Sequence, residues 1–382
     1  MATPWGKLVL VDAWRPALLL LPRGLLGWEV REALSLLGSA GYVVEDIIYY
    51  RRVSHGRLLS EAKLREVAER ASRLRGNDNA RIVVFDDIKP RDYFRLVEAA
   101  RVDVIDRTLL ILEIFALHAG SREALYQIEL ARLRHRLPLV REAIRLAKMG
   151  ELPGFLGPGG YAIDSYYRHM VSRIARIRRE LKRLAARRAL ERAKRKSTGI
   201  PHVAIVGYAS AGKTSLFNRL TGLSKPVGPE YFTTVSPKVR AVTLNGLKIA
   251  FVDTVGFISR IPPEIVEAFH STLEEAVHAN MLLFVVDASE RQEVIVDKVA
   301  EALRTLSRIG AVGRPMIIAA NKIDLVPERN VDRIVGLLED VTSGAYPWLK
   351  AVVPISAKAG DGIEWLKRVI VASLKATGKC MC

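Results

Sequence analysis

Short apolar runs and amphipathic stretches alternate along the first hundred residues. KLVLVD, YVVEDIIYY, RIVVFD and VDVIDR are rich in β-branched and aromatic residues, whereas SEAKLREVAERASRL places its apolar residues at helical intervals. This alternation predicts a small parallel α/β domain. The opening MATPWGKLVLVDAWRPALLLLPRG is interrupted by Asp12, Arg15 and Pro16, so it reads as strands of a folded domain and not as a secretion leader. From about Ser121 the period changes. Tyr126, Leu130, Leu133 and Leu137 lie on one helix face, and Pro138 is expected to interrupt that helix. Met170, Ile174, Ile177, Leu181 and Leu184 repeat the same alternation of three and four, so the two segments are expected to pair as an antiparallel hairpin. The Gly and Pro of GELPGFLGPGGYAID between them forbid regular structure, and Ser197, Thr198, Gly199 and Pro201 mark a linker after Lys196.

The second half returns to strand and helix alternation, and here the strand ends carry chemistry. HVAIVGYASAGKTSLFNRL reads as a strand, the loop Gly207, Tyr208, Ala209, Ser210, Ala211, Gly212, Lys213, Thr214, Ser215, and an amphipathic helix. That is the strand, loop and helix context of a P-loop. Its backbone N–H groups and helix N-terminus face phosphates, Lys213 reaches the β- and γ-oxygens, and Thr214 is placed to ligate Mg²⁺. In YFTTVSP, the segment Phe232, Thr233, Thr234 offers a hydroxyl and a carbonyl to the metal and the γ-phosphate. The strand LKIAFVD ends in Asp253, Thr254, Val255, Gly256, which sets a carboxylate near the metal's water shell and the Gly256 N–H near the γ-phosphate. MLLFVVDAS and MIIAA extend the same sheet. The latter delivers Asn321, Lys322 and Asp324; the Asp324 carboxylate accepts from guanine's ring N–H and exocyclic amine, Lys322 lies along the base, and Asn321 ties the loop to the P-loop. AVVPI then leads to Ser356, Ala357 and Lys358, whose backbone can donate to the guanine carbonyl. Five motifs in order, each at the carboxyl end of a predicted strand, imply GTP and GDP as ligands and phosphoanhydride hydrolysis as the reaction. Lys213, Thr234 and Gly256 are the candidate catalytic groups, and Thr214 and Thr234 the candidate Mg²⁺ ligands. A water-orienting Gln commonly follows the Asp-x-x-Gly motif; Phe257 stands in that place, so turnover is expected to be slow until a partner organises the nucleophile.

Charge adds a partner class. The formal net charge is +18, and residues 168–196 hold thirteen Lys or Arg against Glu180 and Glu191. Such a block is an electrostatic footprint for a polyanion, most plainly nucleic acid, and a solvated helix face is the plainer alternative. Length argues for two or three domains, and no apolar run reaches a membrane span, so stable membrane insertion is not expected. Cysteine occurs only as Cys380 and Cys382, which excludes a disulfide framework or a cysteine zinc site and suits a reducing cytoplasm. Gln occurs only twice, at Gln127 and Gln292, a composition found in thermophiles.

On GYASAGKTSLFNRL, DTVGFISRIPPEIVEAFHSTLEEAVHANMLLFVVDASE, NKIDL and SAKAGDG, and on VIDRTLLILEIFALHAGSREALYQIELARLRHRLP followed by Gly157, Pro158 and Gly159, the chain resembles the HflX family of GTP-binding proteins over nearly its whole length. The resemblance implies an N-terminal α/β domain (1–119), an antiparallel basic helical hairpin (120–196) and a Ras-like P-loop GTPase domain (201–378). It also implies binding to the large ribosomal subunit or its RNA by a monomer, with a role in translation or ribosome dissociation. Ser210 stands where the family usually has Asn, a residue associated with a monovalent-cation site. The switch reads Thr234, Val235, Ser236, Pro237 where the family usually has Thr-Leu-Asp-Pro, and Gly160 follows the Gly-Pro-Gly in place of Glu. A different class of function remains open on the residues alone: a nucleotide-gated module for another RNA or an acidic membrane surface, with incidental turnover.

Overall fold

A computed structural model describes residues 14–53, 57–150, 160–197, 199–223, 238–260, 262, 265 and 270–378. The KLVLVD run, Gly157 to Gly159, Phe232, Thr233, Thr234, Cys380 and Cys382 lie outside the described residues. Two compact units are formed, one by residues up to 117 with 132–175, the other by 118–131 with 176 onward.

In the first unit, β1 (Arg15–Pro22), β2 (Tyr42–Tyr50), β3 (Arg81–Val84) and β4 (Asp103–Asp106) form a parallel sheet in the order β2-β1-β3-β4. Central β1 is covered on both faces, which is why Leu18 to Leu21 form an uninterrupted apolar run in place of an alternating one. Helices α1 (Gly27–Ser39), α2 (Glu61–Ala71) and α3 (Pro90–Ala100) connect these strands, and α4 (Arg107–His118) follows β4. Ser60 caps α2 by accepting from the Lys63 N–H, and Pro90 opens α3, where a missing donor costs nothing.

The two long helices are α5 (Arg122–Lys148) and α6 (Gly160–Ser197). They run antiparallel: Arg141 Nε donates to Tyr167 Oη at 3.2 Å, and Arg188 pairs with Glu123 at 2.8 Å. The expectation that Pro138 interrupts the first helix is overturned, because α5 continues through it. Pro138 is exposed, so water can meet the carbonyl one turn back that lacks a donor, and packing on either side offsets a cost of roughly 3 kcal/mol.

The second unit is built on a six-stranded sheet of β5 (His202–Gly207), β6 (Lys238–Leu244), β7 (Leu247–Asp253), β8 (Met281–Asp287), β9 (Met316–Asn321) and β10 (Leu349–Pro354), ordered β10-β9-β8-β5-β7-β6. All neighbours are parallel except β6 with β7. The helices are α7 (Lys213–Thr221), α8 (His270–His278), α9 (Gln292–Arg308), α10 (Glu328–Ser343) and α11 (Ile363–Ala376). Phe217 of α7, Phe251, Leu283, Ile317 and Val353 of the strands and Leu366 and Ile370 of α11 fill one core. Each such side chain contributes about 1.5–3 kcal/mol by leaving water, so the strand ends are held on a rigid base.

Candidate nucleotide-binding site

The carboxyl ends of β5, β7, β9 and β10 bring four of the five sequence motifs together. The backbone after β5 is shaped for a compact ligand: Gly212 has φ +95°, and a Cβ there would overlap Asn321 Nδ2. Gly256 is required for a different reason, since a Cβ would lie 2.8 Å from both Ala209 Cα and Lys213 Nζ. The Asp-x-x-Gly loop is thereby brought against the P-loop. The two are also laddered, with Phe257 N–H donating to Gly207 O at 2.9 Å and Ala209 N–H to Phe257 O at 2.7 Å. Ser210 and Lys322 are left-handed without being glycine, with φ of 61° and 68°. Such strain costs about 1–3 kcal/mol per residue and persists where the surroundings over-determine it.

Lys213 is buried and donates to Tyr208 O at 2.5 Å, so its ammonium curls back over the loop. Burial pulls its pKa down to about 8, against the opposing pull of Asp253. An anionic phosphate would restore the charge. Thr214 Oγ1 donates to Asp253 Oδ2 at 3.2 Å, placing a hydroxyl and a fully buried carboxylate side by side at the start of α7. Hard oxygen donors in so small a number suit Mg²⁺, which takes most of its shell from water and substrate phosphates. Among the described residues there is no cluster of three or more His, Cys, Asp or Glu that would hold a metal by itself. Thr254 and Val255 are turned inward: the Thr254 hydroxyl donates to Ile205 O at 2.7 Å, and both side chains are buried. They shape the loop from the core side.

On the base side, Asn321 is a two-way tie. Its Nδ2 donates to Ala211 O at 2.8 Å and its Oδ1 accepts from Ala357 N–H at 2.9 Å, joining the β9 loop to the P-loop and to the loop after β10. Ser356 is buried and its Oγ accepts from Ala359 N–H, which closes that loop, while Asp324 is exposed. Two further residues belong here that the motifs did not reveal. Asp287, at the end of β8, pairs with Lys322 Nζ at 2.5 Å. Arg219 of α7 reaches Ala357 O at 3.2 Å and Lys358 O at 2.5 Å. The only sequence signal for Asp287 was its place at a strand end, like Asp253; Arg219 had none. A cavity of about 60 Å³ behind the P-loop is lined by Tyr208, Asp287, Glu290 and Lys298. Phe257 is buried, so its ring cannot reach a nucleophilic water.

A phosphate loop, a glycine held against its lysine, and an Asn-Lys-x-Asp loop tied to a Ser-Ala-Lys loop define a P-loop GTPase. Comparison with known proteins agrees. Residues 202–322 match the model "50S ribosome-binding GTPase", residues 118–195 "GTP-binding GTPase Middle Region", and residues 28–116 "GTP-binding GTPase N-terminal". GTPase HflX of Hyperthermus butylicus is 64% identical, over 97% of this chain and 99% of its own length, and that of Saccharolobus solfataricus is 36% identical over 88% and 93%. A crystal structure of a GTP-binding protein from Sulfolobus solfataricus in complex with GDP is similar at a TM-score of 0.52 and 31% identity, covering 94% of this chain and 98% of that one. The chain belongs to the HflX family of GTPases, and it is a GTP hydrolase.

Proposed function

We propose that this GTPase binds the large ribosomal subunit through the basic face of α6, in a manner controlled by GTP, GDP and Mg²⁺ at the P-loop site. The carrying observation is the division of α6 into two faces. Met170, Ile174 and Ile177 are buried, whereas Arg176, Arg178, Arg179, Lys182, Arg183 and Arg187 are all exposed along the same helix. A stripe of like charge that the fold leaves in water is costly to itself and favourable to a polyphosphate backbone, where each neutralised phosphate releases counterions. The match of the GTPase domain to a 50S ribosome-binding model supports rRNA as that polyanion.

In this reading Lys213 and the P-loop amides hold the β- and γ-phosphates. Thr214, with Thr234 of the switch, would hold Mg²⁺, with the Asp253 carboxylate beside Thr214 to support it. Mg²⁺ supplies charge neutralisation at the transferring phosphoryl group. Gly256 N–H reads the γ-phosphate, and Asp324 selects guanine. Among the described residues at the P-loop site, no side chain stands ready to orient water, so the subunit completes the hydrolysis geometry. No helix of the described residues is long and apolar enough to cross a membrane.

Co-sedimentation tests this. The protein locked with a GTP analogue is expected to pellet with purified large subunits and to release in GDP. Replacing Arg176, Arg179, Arg183 and Arg187 with Gln is expected to weaken pelleting and flatten its salt dependence, with GTP affinity unchanged. Pelleting with anionic vesicles but not with subunits would overturn the reading.

A further inference from the structure

Of the seven Lys and Arg residues between 176 and 188, Arg188 alone is turned inward, its side chain 21% exposed while the other six face water. Its guanidinium lies between two carboxylates. Nη2 meets Glu123, in the first turn of α5, at 2.8 Å, and Nη1 donates to Glu274 of α8 at 3.0 Å. Both glutamates are themselves mostly buried, at 16% and 18% exposure. A fork-shaped cation shared by two half-buried carboxylates is held far more firmly than a surface pair. Removing it also leaves two like charges facing each other.

The third element of this cluster matters because α8 follows the Asp-x-x-Gly loop in the chain. That stretch is pinned near its start, where Phe257 is laddered to Gly207 and Ala209. Its far end is pinned as well. Asn280, just past α8, donates its N–H to His202 O at 2.8 Å and accepts from His202 N–H at 2.9 Å, which fixes it to the root of β5. Ala276 and Ala279 are buried at the same end. Glu274 lies between the two pins, and the residue that holds it comes from the basic helix. Glu275 and Ala276 of α8 also face inward, and the contact of Glu274 with Arg188 adds a charged tie from the basic helix to the same turn. α8 and the backbone after Gly256 belong to one stretch of chain bounded by these two pins.

We propose that Arg188 is a positioning residue for GTP hydrolysis, acting through Glu274 on α8 and thereby on the Asp-x-x-Gly loop. It touches neither nucleotide nor metal. Its effect is on the rate of the chemical step and not on GDP affinity, since the P-loop and the guanine-side ties lie on other elements.

The test uses the full chain with GTP and Mg²⁺ and no ribosome, so it stands apart from the partner reading above. Single-turnover hydrolysis is measured for the wild type, Arg188→Ala, Arg187→Ala, Glu274→Gln, and the double variant Arg188→Ala with Glu274→Gln, since two residues that act through one contact have effects that do not multiply. Arg188→Ala is expected to hydrolyse about tenfold more slowly or worse, within what an ångström-scale displacement of reacting groups costs. Its dissociation constant for GDP should match the wild type. Arg187→Ala, exposed on the same helix, should turn over normally, Glu274→Gln should slow hydrolysis as Arg188→Ala does, and the double variant should be no slower than Arg188→Ala. Equal rates for the two alanine variants would overturn the proposal. So would a normal rate for Glu274→Gln, a double variant whose losses multiply, or a fall in Arg188→Ala accompanied by weaker GDP binding, because each would mark the effect as not passing through Glu274 or as one of the fold alone.

Discussion

The molecule contains two α/β sheets, one of four parallel strands and one of six that are parallel but for β6, and their strand ends have been put to opposite uses. In the six-stranded sheet the carboxyl ends lead into loops of unusual backbone, with Gly212, Ser210 and Lys322 at positive φ and Gly256 pressed against Ala209 and Lys213. In the four-stranded sheet the same places are closed by side chains. Asp86, after β3, accepts from Tyr50 Oη at 3.2 Å and from Arg52 Nε at 2.9 Å. Asp106, at the end of β4, caps α4 through the Leu109 N–H and pairs with His135. Arg107 stacks on Phe85 and pairs with buried Glu32 at 3.2 Å. Parallel topology offers a crevice at the strand ends, but a site exists only where backbone donors are aimed into it; where carboxylates and guanidiniums neutralise one another, the crevice is structural.

Three substitutions sharpen this contrast. Arg107→Ala should have the largest effect, because it takes the guanidinium from a glutamate that is 3% exposed; a loss of about 3 kcal/mol of stability is expected by denaturant unfolding, with GTP affinity unchanged in the folded protein. Altered nucleotide binding at preserved stability would mean that the four-stranded sheet holds part of a site. Asp324→Asn should act in the reverse sense, with stability preserved and GTP binding weakened by on the order of 3 kcal/mol, in favour of xanthosine triphosphate. Equal affinity of the wild type for ATP and GTP would break that account. Arg219→Ala is the smallest change. Losing two bonds from an exposed guanidinium to Ala357 O and Lys358 O should cost about 1 kcal/mol, seen in stopped-flow as GDP leaving several-fold faster. An unchanged off-rate would show that Asn321 alone holds the guanine-side loops.

What was legible in the sequence follows the same division. The phosphate and base motifs were read because each is several residues long, and because strand, loop and helix impose a fixed spacing on chemistry. The helical hairpin is legible in its apolar stripes: Leu130, Met170, Ile174 and Ile177 are buried, and Tyr126, Leu133, Leu137, Leu181 and Leu184 are partly so. Pro138 misled because local chemistry argues against a helix there, while the packing that carries α5 past it is not local. Thr254 was grouped with its neighbours on the nucleotide, whereas its hydroxyl is bonded within the core. Asp287, Arg219 and Arg188 could not be singled out. Each is one polar residue whose role depends on a partner at least 35 positions away, and Arg188 is indistinguishable by sequence from the exposed arginines beside it.

On the proposed mechanism the P-loop site is complete for binding and incomplete for hydrolysis. Phe257 is buried where a water-orienting side chain is common. Single-turnover GTP hydrolysis, measured with and without purified large ribosomal subunits at fixed Mg²⁺, tests this most directly. The account predicts slow turnover by the protein alone and acceleration by roughly a thousandfold when subunits saturate it, the scale on which a supplied group acts in phosphoryl transfer. Fast turnover by the isolated protein, unchanged by subunits, would contradict it.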